Sequence, residues 1–162
     1  MTRGGTPAAQ AHGRPAAHSL RPCTGDDEAF ARSVHREAYF DVVTRQFGEW
    51  DDERQRGFFE AKWDPASYRL IVVDGADAGV LRYSREAGHI YLDEIQLLPM
   101  AQGSGVGSAV IRDLQEQAQH AGLPLRLQVL KQNRARALYE RLGFYVTGES
   151  EQHVQMEWRF AC

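Results

Sequence analysis

Cysteine is nearly missing from this chain: Cys23 and Cys162 are the two present among 162 residues. Two thiols at opposite ends make neither a disulfide framework nor a metal cluster, so a protein of the reducing cytoplasm is expected. The six histidines, at positions 12, 18, 35, 89, 120 and 153, have no ligand spacing, and no metal is expected. No run approaches the roughly 18 apolar residues of a membrane span. Nor does the N-terminal stretch contain the continuous apolar segment of a secretory signal. Charge of one sign is also lacking. A net charge of −3 gives no general electrostatic case for nucleic-acid binding. Internal repeats are absent, and residues 1–18, made largely of Arg, Gly, Pro and Ala, read as a disordered tail.

What is present fits one domain over residues 19–162, long enough to bury a core. A short edge strand at 19–22 precedes a helix capped by Thr24 or Asp26, in which Phe30, Val34 and Ala38 recur at helical spacing. Phe47-Gly48-Glu49-Trp50 interrupts it, and Asp51, Asp52 and Glu53 suit the first turn of a second helix. Strands follow at 68–73, 79–85 and 89–98, separated by Asp74-Gly75 and Glu86-Ala87-Gly88 and ended by Pro99. Val106, Val110, Ile111, Leu114 and Ala118 mark one face of a third helix, stopped by Gly122 and Pro124. A strand at 125–130, a helix from the Asn133 cap through Leu142, and strands at 144–148 and 153–160 complete the chain. The order is β-α-α-β-β-β-α-β-α-β-β. The helical crossover from 89–98 to 125–130 requires those two strands to run parallel in an otherwise antiparallel sheet. The expected fold is therefore α/β, with a mixed, mostly antiparallel twisted sheet of about seven strands and four helices. The last strand either completes its own sheet or pairs with a second subunit in a homodimer.

Between the third of the central strands and the third helix lies Gln102-Gly103-Ser104-Gly105-Val106-Gly107-Ser108. Three glycines in five residues allow a tight turn with bare N–H groups against a ligand, and the helix that starts there adds its positive end. Such a turn suits phosphate. A nucleotide P-loop needs a lysine followed by Ser or Thr, and here Ser108-Ala109 follows instead. A dinucleotide fingerprint needs G-x-G-x-x-G in a first βαβ unit and an acidic residue after the next strand. This chain has a meander before the turn and Lys131-Gln132 after the strand. A turn without ligand is the plainer alternative.

The stretch also fits Q/R-x-x-G-x-G/A. With Ile95-Gln96-Leu97-Leu98-Pro99 before it and Asn133 through Leu138-Tyr139 to Gly143-Phe144 after it, the chain resembles the GNAT superfamily of acyl-CoA-dependent N-acetyltransferases. The likeness is strong over residues 89–148 and looser from residue 19. It implies acetyl-CoA as co-substrate, without a metal, and a primary amine of a small molecule or peptide as acceptor, attacking directly in a ternary complex. A non-catalytic acyl-CoA sensor of the same fold is the alternative.

The resemblance also implies roles. Gln102, Gly103, Ser104, Gly105, Val106, Gly107 and Ser108 would hold the coenzyme A pyrophosphate, and Asn133 would cap its helix and contact the cofactor. Leu97 and Leu98 would pair with the pantetheine arm, and their N–H groups would face the oxyanion. Tyr139 would be the general acid for the thiolate; by pattern alone it is a buried tyrosine sharing a helix face with Ala135 and Leu142. Glu94 would be the base, with water as the alternative, while Asp93 falls on the opposite face if the strand is regular. The acceptor groove would involve residues 39–63 and 145–158. Phe47 and Trp50 are the expected substrate contacts. The surrounding aromatic and acidic residues suit a cationic amine, or serve only helix packing and helix starts.

Overall fold

The computed structural model describes residues 17–161. Most of the expected tail lies outside these residues, as does Cys162. His18, placed in that tail by composition, is the first residue of strand β1 (His18–Pro22). The order continues α1 (Glu28–Phe47), α2 (Asp52–Lys62), β2 (Tyr68–Val73), β3 (Ala76–Arg85), β4 (Ile90–Leu97), α3 (Val106–Ala121), β5 (Leu125–Leu130), α4 (Ala135–Arg141), β6 (Tyr145–Glu149) and β7 (His153–Trp158). All seven strands form one sheet in the order β1-β2-β3-β4-β5-β7-β6. The β4–β5 pair is parallel, as the crossover required, and the other pairs are antiparallel. Strand β7 lies between β5 and β6 of its own chain.

Local chemistry sets most boundaries. Asp74 (φ 51°) and Gly75 (φ 81°) both take left-handed conformations, the twist of a two-residue hairpin turn. Pairing therefore resumes at Val73↔Ala76, and β3 starts three residues earlier than the pattern suggests. Gly48 ends α1 in the left-handed region, its N–H bonded to the Thr44 carbonyl. The Asp51 carboxylate caps α2 by accepting the Arg54 N–H at 3.1 Å. The Asn133 side chain accepts the Ala135 N–H at 2.9 Å, so α4 begins two residues beyond that cap.

Strand alternation sends neighbouring side chains to opposite faces, and each face has its own core. Ile71, Leu81, Leu127 and Val129 pack with Val106, Val110, Ile111, Leu114 and Ala118 of α3 and with Tyr139 of α4. Leu70 and Val80 point the other way, onto Ala31 and Val34 of α1 and Phe59 of α2. Among the described residues, no helix is long and apolar enough to cross a membrane.

Candidate functional site

Two irregularities of β4 create the site. Its parallel pairing with β5 covers only Ile90↔Leu125, Tyr91↔Arg126 and Leu92↔Leu127. From residue 93 onward β4 has no β5 partner, and β5 continues alongside β7 instead. The strands part, and a cavity of about 970 Å³ runs through the split, with residues 92–97 along one wall.

The second irregularity is a bulge. Arg82 pairs with Glu94 and Tyr83 with Leu92, so Asp93 is the extra residue. The bulge reverses the alternation. Leu92 belongs to the α3 face, whereas Gln96 stands opposite Val80, which belongs to the α1–α2 face. This corrects the expectation that Asp93 and Glu94 point apart. Both carboxylates approach the same ammonium, with Lys62 Nζ 4.0 Å from Asp93 Oδ1 and 3.9 Å from Glu94 Oε1.

Glu94 is largely enclosed, with 11% of its side chain exposed. Tyr68 Oη donates to its Oε2 at 2.9 Å. Burial drives its pKa upward, and the Tyr68 hydrogen bond and the Lys62 charge offset this only in part. Asp93 differs, since it pairs tightly with Arg82. On the other side of the split, Tyr139 is buried and meets Phe144 edge-on at 5.7 Å. Burial, reinforced by Tyr39, holds its phenol well above the ordinary tyrosine range, so it keeps its proton at neutral pH. Tyr39 is raised to about 12 by burial and the nearby Glu94. Glu94, Tyr39, Tyr139 and Asn133 all line the one cavity.

At the end of β4, Gly103 (φ 74°) and Gly105 (φ 83°) adopt the left-handed backbone that the glycine turn required. The Gln102 amide donates to the Leu97 carbonyl at 3.0 Å, and Ser104 Oγ donates to the Ala101 carbonyl. These side chains brace the turn against β4. No side chain caps α3, so the first-turn N–H groups of this 16-residue helix are left for an external acceptor. The donor set fits a pyrophosphate. Gln102 and Gly107 also reach the cavity wall, and the single bond to Ala135 occupies only the carbonyl half of Asn133.

Two expected residues are placed elsewhere. The Leu98 N–H donates to the Ala78 carbonyl at 2.8 Å, so it is not free to face an oxyanion. Antiparallel pairing alternates the direction of successive N–H groups, which turns the Leu97 N–H away from β3 and toward the split. Trp50 does not line the cavity. Its indole N–H is held by Asp52 Oδ1 at 2.7 Å and its ring packs on Phe40 at 5.7 Å. Phe47, the last residue of α1 rather than a loop residue, does line it. Within the acidic run beside Trp50, Asp51 caps α2 and Asp52 and Glu53 stand in its first turn.

His35, Lys62 and Gln96 escaped the sequence reading. Gln96 is 3% exposed, and its amide lies 3.4 Å from His35 Nδ1. The Oε1 of Gln96 and the Nε2 of His35 are buried without partners. A lone glutamine within Ile95-Gln96-Leu97 was the available signal, since polar groups are seldom placed in a core without a use.

Comparisons with known proteins agree with this fold. A family model described as "Acetyltransferase (GNAT) family" matches residues 30–144. No curated protein matches the sequence. Among solved structures, the chain is similar to the PaiA N-acetyltransferase of Thermoplasma acidophilum in complex with coenzyme A. That match has TM-score 0.73 and 17% identity, covering 89% of this chain and 99% of that one. It is also similar to the ribosomal-protein-S18-alanine N-acetyltransferase of Escherichia coli, with TM-score 0.64, 18% identity and coverage of 90% and 96%. A third similar structure, a histone acetyltransferase HPA2 and related acetyltransferase from Corynebacterium glutamicum, has TM-score 0.64, 23% identity and coverage of 90% and 97%.

Proposed function

Because the chain belongs to the acetyltransferase (GNAT) family, we propose that it moves an acetyl group from acetyl-CoA to a primary amine of a small molecule or peptide, by direct attack. The observation that carries this reading is one cavity. The braced glycine turn stands at its edge, the split β4 forms its wall, and a buried carboxylate and a buried phenol reach its interior.

Acetyl-CoA supplies an activated thioester. The uncapped start of α3 and the turn at Gly103 and Gly105 anchor its pyrophosphate, and the unpaired edge of residues 93–97 holds the pantetheine arm like an added strand. Glu94, with its raised pKa, accepts the proton that the attacking amine must lose. The Leu97 N–H stabilises the oxyanion. Tyr139 gives its proton to the departing thiolate. Positioned proton transfer contributes about 10²–10⁴ in rate, and one oxyanion donor about 10²–10³.

Thiol release from acetyl-CoA across a panel of small amines, amino acids and peptide N-termini tests the proposal. Acceleration by at least one amine, with intersecting rather than parallel initial-velocity patterns, is expected for direct attack. Tight coenzyme A binding without acceleration by any amine or peptide would favour the acyl-CoA sensor.

A further inference from the structure

We infer that the chain is also its own acceptor, acetylating Lys62 Nζ in the same site; this rests on the acetyl-transfer reading above. Lysine is scarce here. Of 19 basic side chains only Lys62 and Lys131 are lysines, so side-chain primary amines are limited to two positions. One of them lines the cavity that also holds Glu94, Leu97 and Tyr139.

The geometry at Lys62 suits a nucleophile better than a fixed ion pair. Lys62 is the last residue of α2, and Trp63 after it stacks on buried Phe59 at 5.5 Å and contacts Tyr68 at 5.2 Å. Its backbone is therefore anchored. Its head group stands 3.9 and 4.0 Å from the two carboxylates, beyond the roughly 3.2 Å of a hydrogen bond, and 52% of its side chain is exposed. Charge keeps it near Glu94, but no short bond locks it. Arg82 already pairs with Asp93, so that carboxylate keeps a counter-charge if Lys62 moves.

The step balances without any further reactant. Glu94 takes one proton from the Lys62 ammonium, and the freed Nζ lone pair attacks the thioester carbonyl carbon. An N–C bond forms, the C–S bond breaks with its electron pair on sulfur, and Tyr139 protonates the thiolate. Of the two protons left on nitrogen one leaves to solvent and one stays, Tyr139 regains a proton from water, and the products are a neutral secondary amide and free coenzyme A. The cavity loses one positive charge beside Glu94, which favours a cationic acceptor afterwards.

The test uses the full chain with acetyl-CoA carrying an isotopically labelled acetyl group, without added amine, followed by peptide mapping. Lys131, paired with Glu149 at 3.8 Å outside the cavity, is the internal reference. Label is expected on Lys62 at least about tenfold faster than on Lys131, as effective-molarity effects predict for a positioned intramolecular amine. The rate constant should be unchanged on dilution and lowered by Tyr139→Phe. In Lys62→Arg, which keeps the charge, label at this position should disappear. Equal labelling of both lysines, a rate constant that rises with protein concentration, or an unlabelled Lys62 overturns the inference. Thiol release with the amine panel separates the two failures: release with Lys62 unlabelled removes only this inference, while neither release nor label removes the acetyl-transfer reading as well.

Discussion

Gly79 faces Leu97 across β3 and β4, in the stretch of β4 that has no β5 partner. A Cβ there would sit 2.3 Å from the Gln96 carbonyl oxygen, 2.8 Å from Leu97 Cδ2 and 3.2 Å from Leu97 Cα. The leucine methyl can rotate away, but the carbonyl belongs to the backbone and cannot. An ordinary C···O contact is about 3.3 Å, so Gly79→Ala must open the strands by roughly 1 Å at the residue whose N–H faces the split. Overpacking of this kind costs about 1–3 kcal/mol, and each kcal/mol lowers the melting temperature by about 2–4 °C at this size. A 1 Å displacement of a positioning group costs about 10²-fold in rate. Thermal unfolding and acetyl-transfer rates measured on the same preparation would check both. Gly57→Ala is the control, since a Cβ in mid-α2 meets nothing within 4 Å; relieving a helical glycine there should stabilise by about 0.5–1 kcal/mol. If Gly79→Ala were as stable and active as the parent, close approach of β3 would not set the geometry of Leu97.

Further outcomes follow from the site and its surroundings. Glu94→Gln should lower kcat/KM by about 10²–10⁴. In the parent, activity should rise with pH through a value above the ordinary carboxylate range near about 4.3, because the base works only when ionised and burial raises its pKa. The variant should lack that limb; an identical profile, unmoved when acceptors of different basicity are compared, would remove Glu94 as base. Tyr139→Phe keeps the ring against Phe144 and removes only the hydroxyl, so turnover should fall by about 10²-fold or more while acetyl-CoA affinity stays close to the parent's; equal turnover would end its role as acid. Glu157 is pushed up by burial, but hydrogen bonds from Arg126, Tyr145 and Arg159 outweigh this and hold it at about 2. Its stabilising effect is thus present above the ordinary carboxylate pKa and lost as pH falls through about 2. Glu157→Gln should cost about 1–3 kcal/mol in urea unfolding at pH 7, with the gap from the parent closing toward pH 2. A constant gap would refute that account.

Local periodicity reached the elements that rest on local signals. The α3 face from Val106 to Ala118 is buried as its spacing required, because a helix stripe is set by residues within a few turns. The strand expected over 125–130 matches β5 at both ends, bounded by Pro124 and by the turn before Asn133. The glycine turn was legible for a similar reason: Gly103 and Gly105 adopt backbone angles that few other residues tolerate.

What escaped depends on partners distant in sequence. The bulge at Asp93 is decided by the register against Arg82 and Tyr83, about ten residues away, and nothing in Tyr91-Leu92-Asp93-Glu94 marks it. Yet that one extra residue turns two carboxylates onto the face that holds Lys62 and reverses the side-chain alternation of β4. The same non-local pairing engages the Leu98 N–H and turns that of Leu97 to the split. Trp50 was expected, with Phe47, to contact substrate from the stretch between helices, but Asp52 and Phe40 occupy its polar and apolar sides. His35 and Gln96 show the converse. Each is unremarkable alone, on α1 and β4, and their significance arises when the fold buries both with one polar atom unmatched on each. Unmatched buried atoms in the wall of a cavity impose a cost that a substrate group can offset. On the proposed reading, acceptor choice is therefore written in tertiary pairing, whereas the donor site is written in a contiguous stretch of sequence.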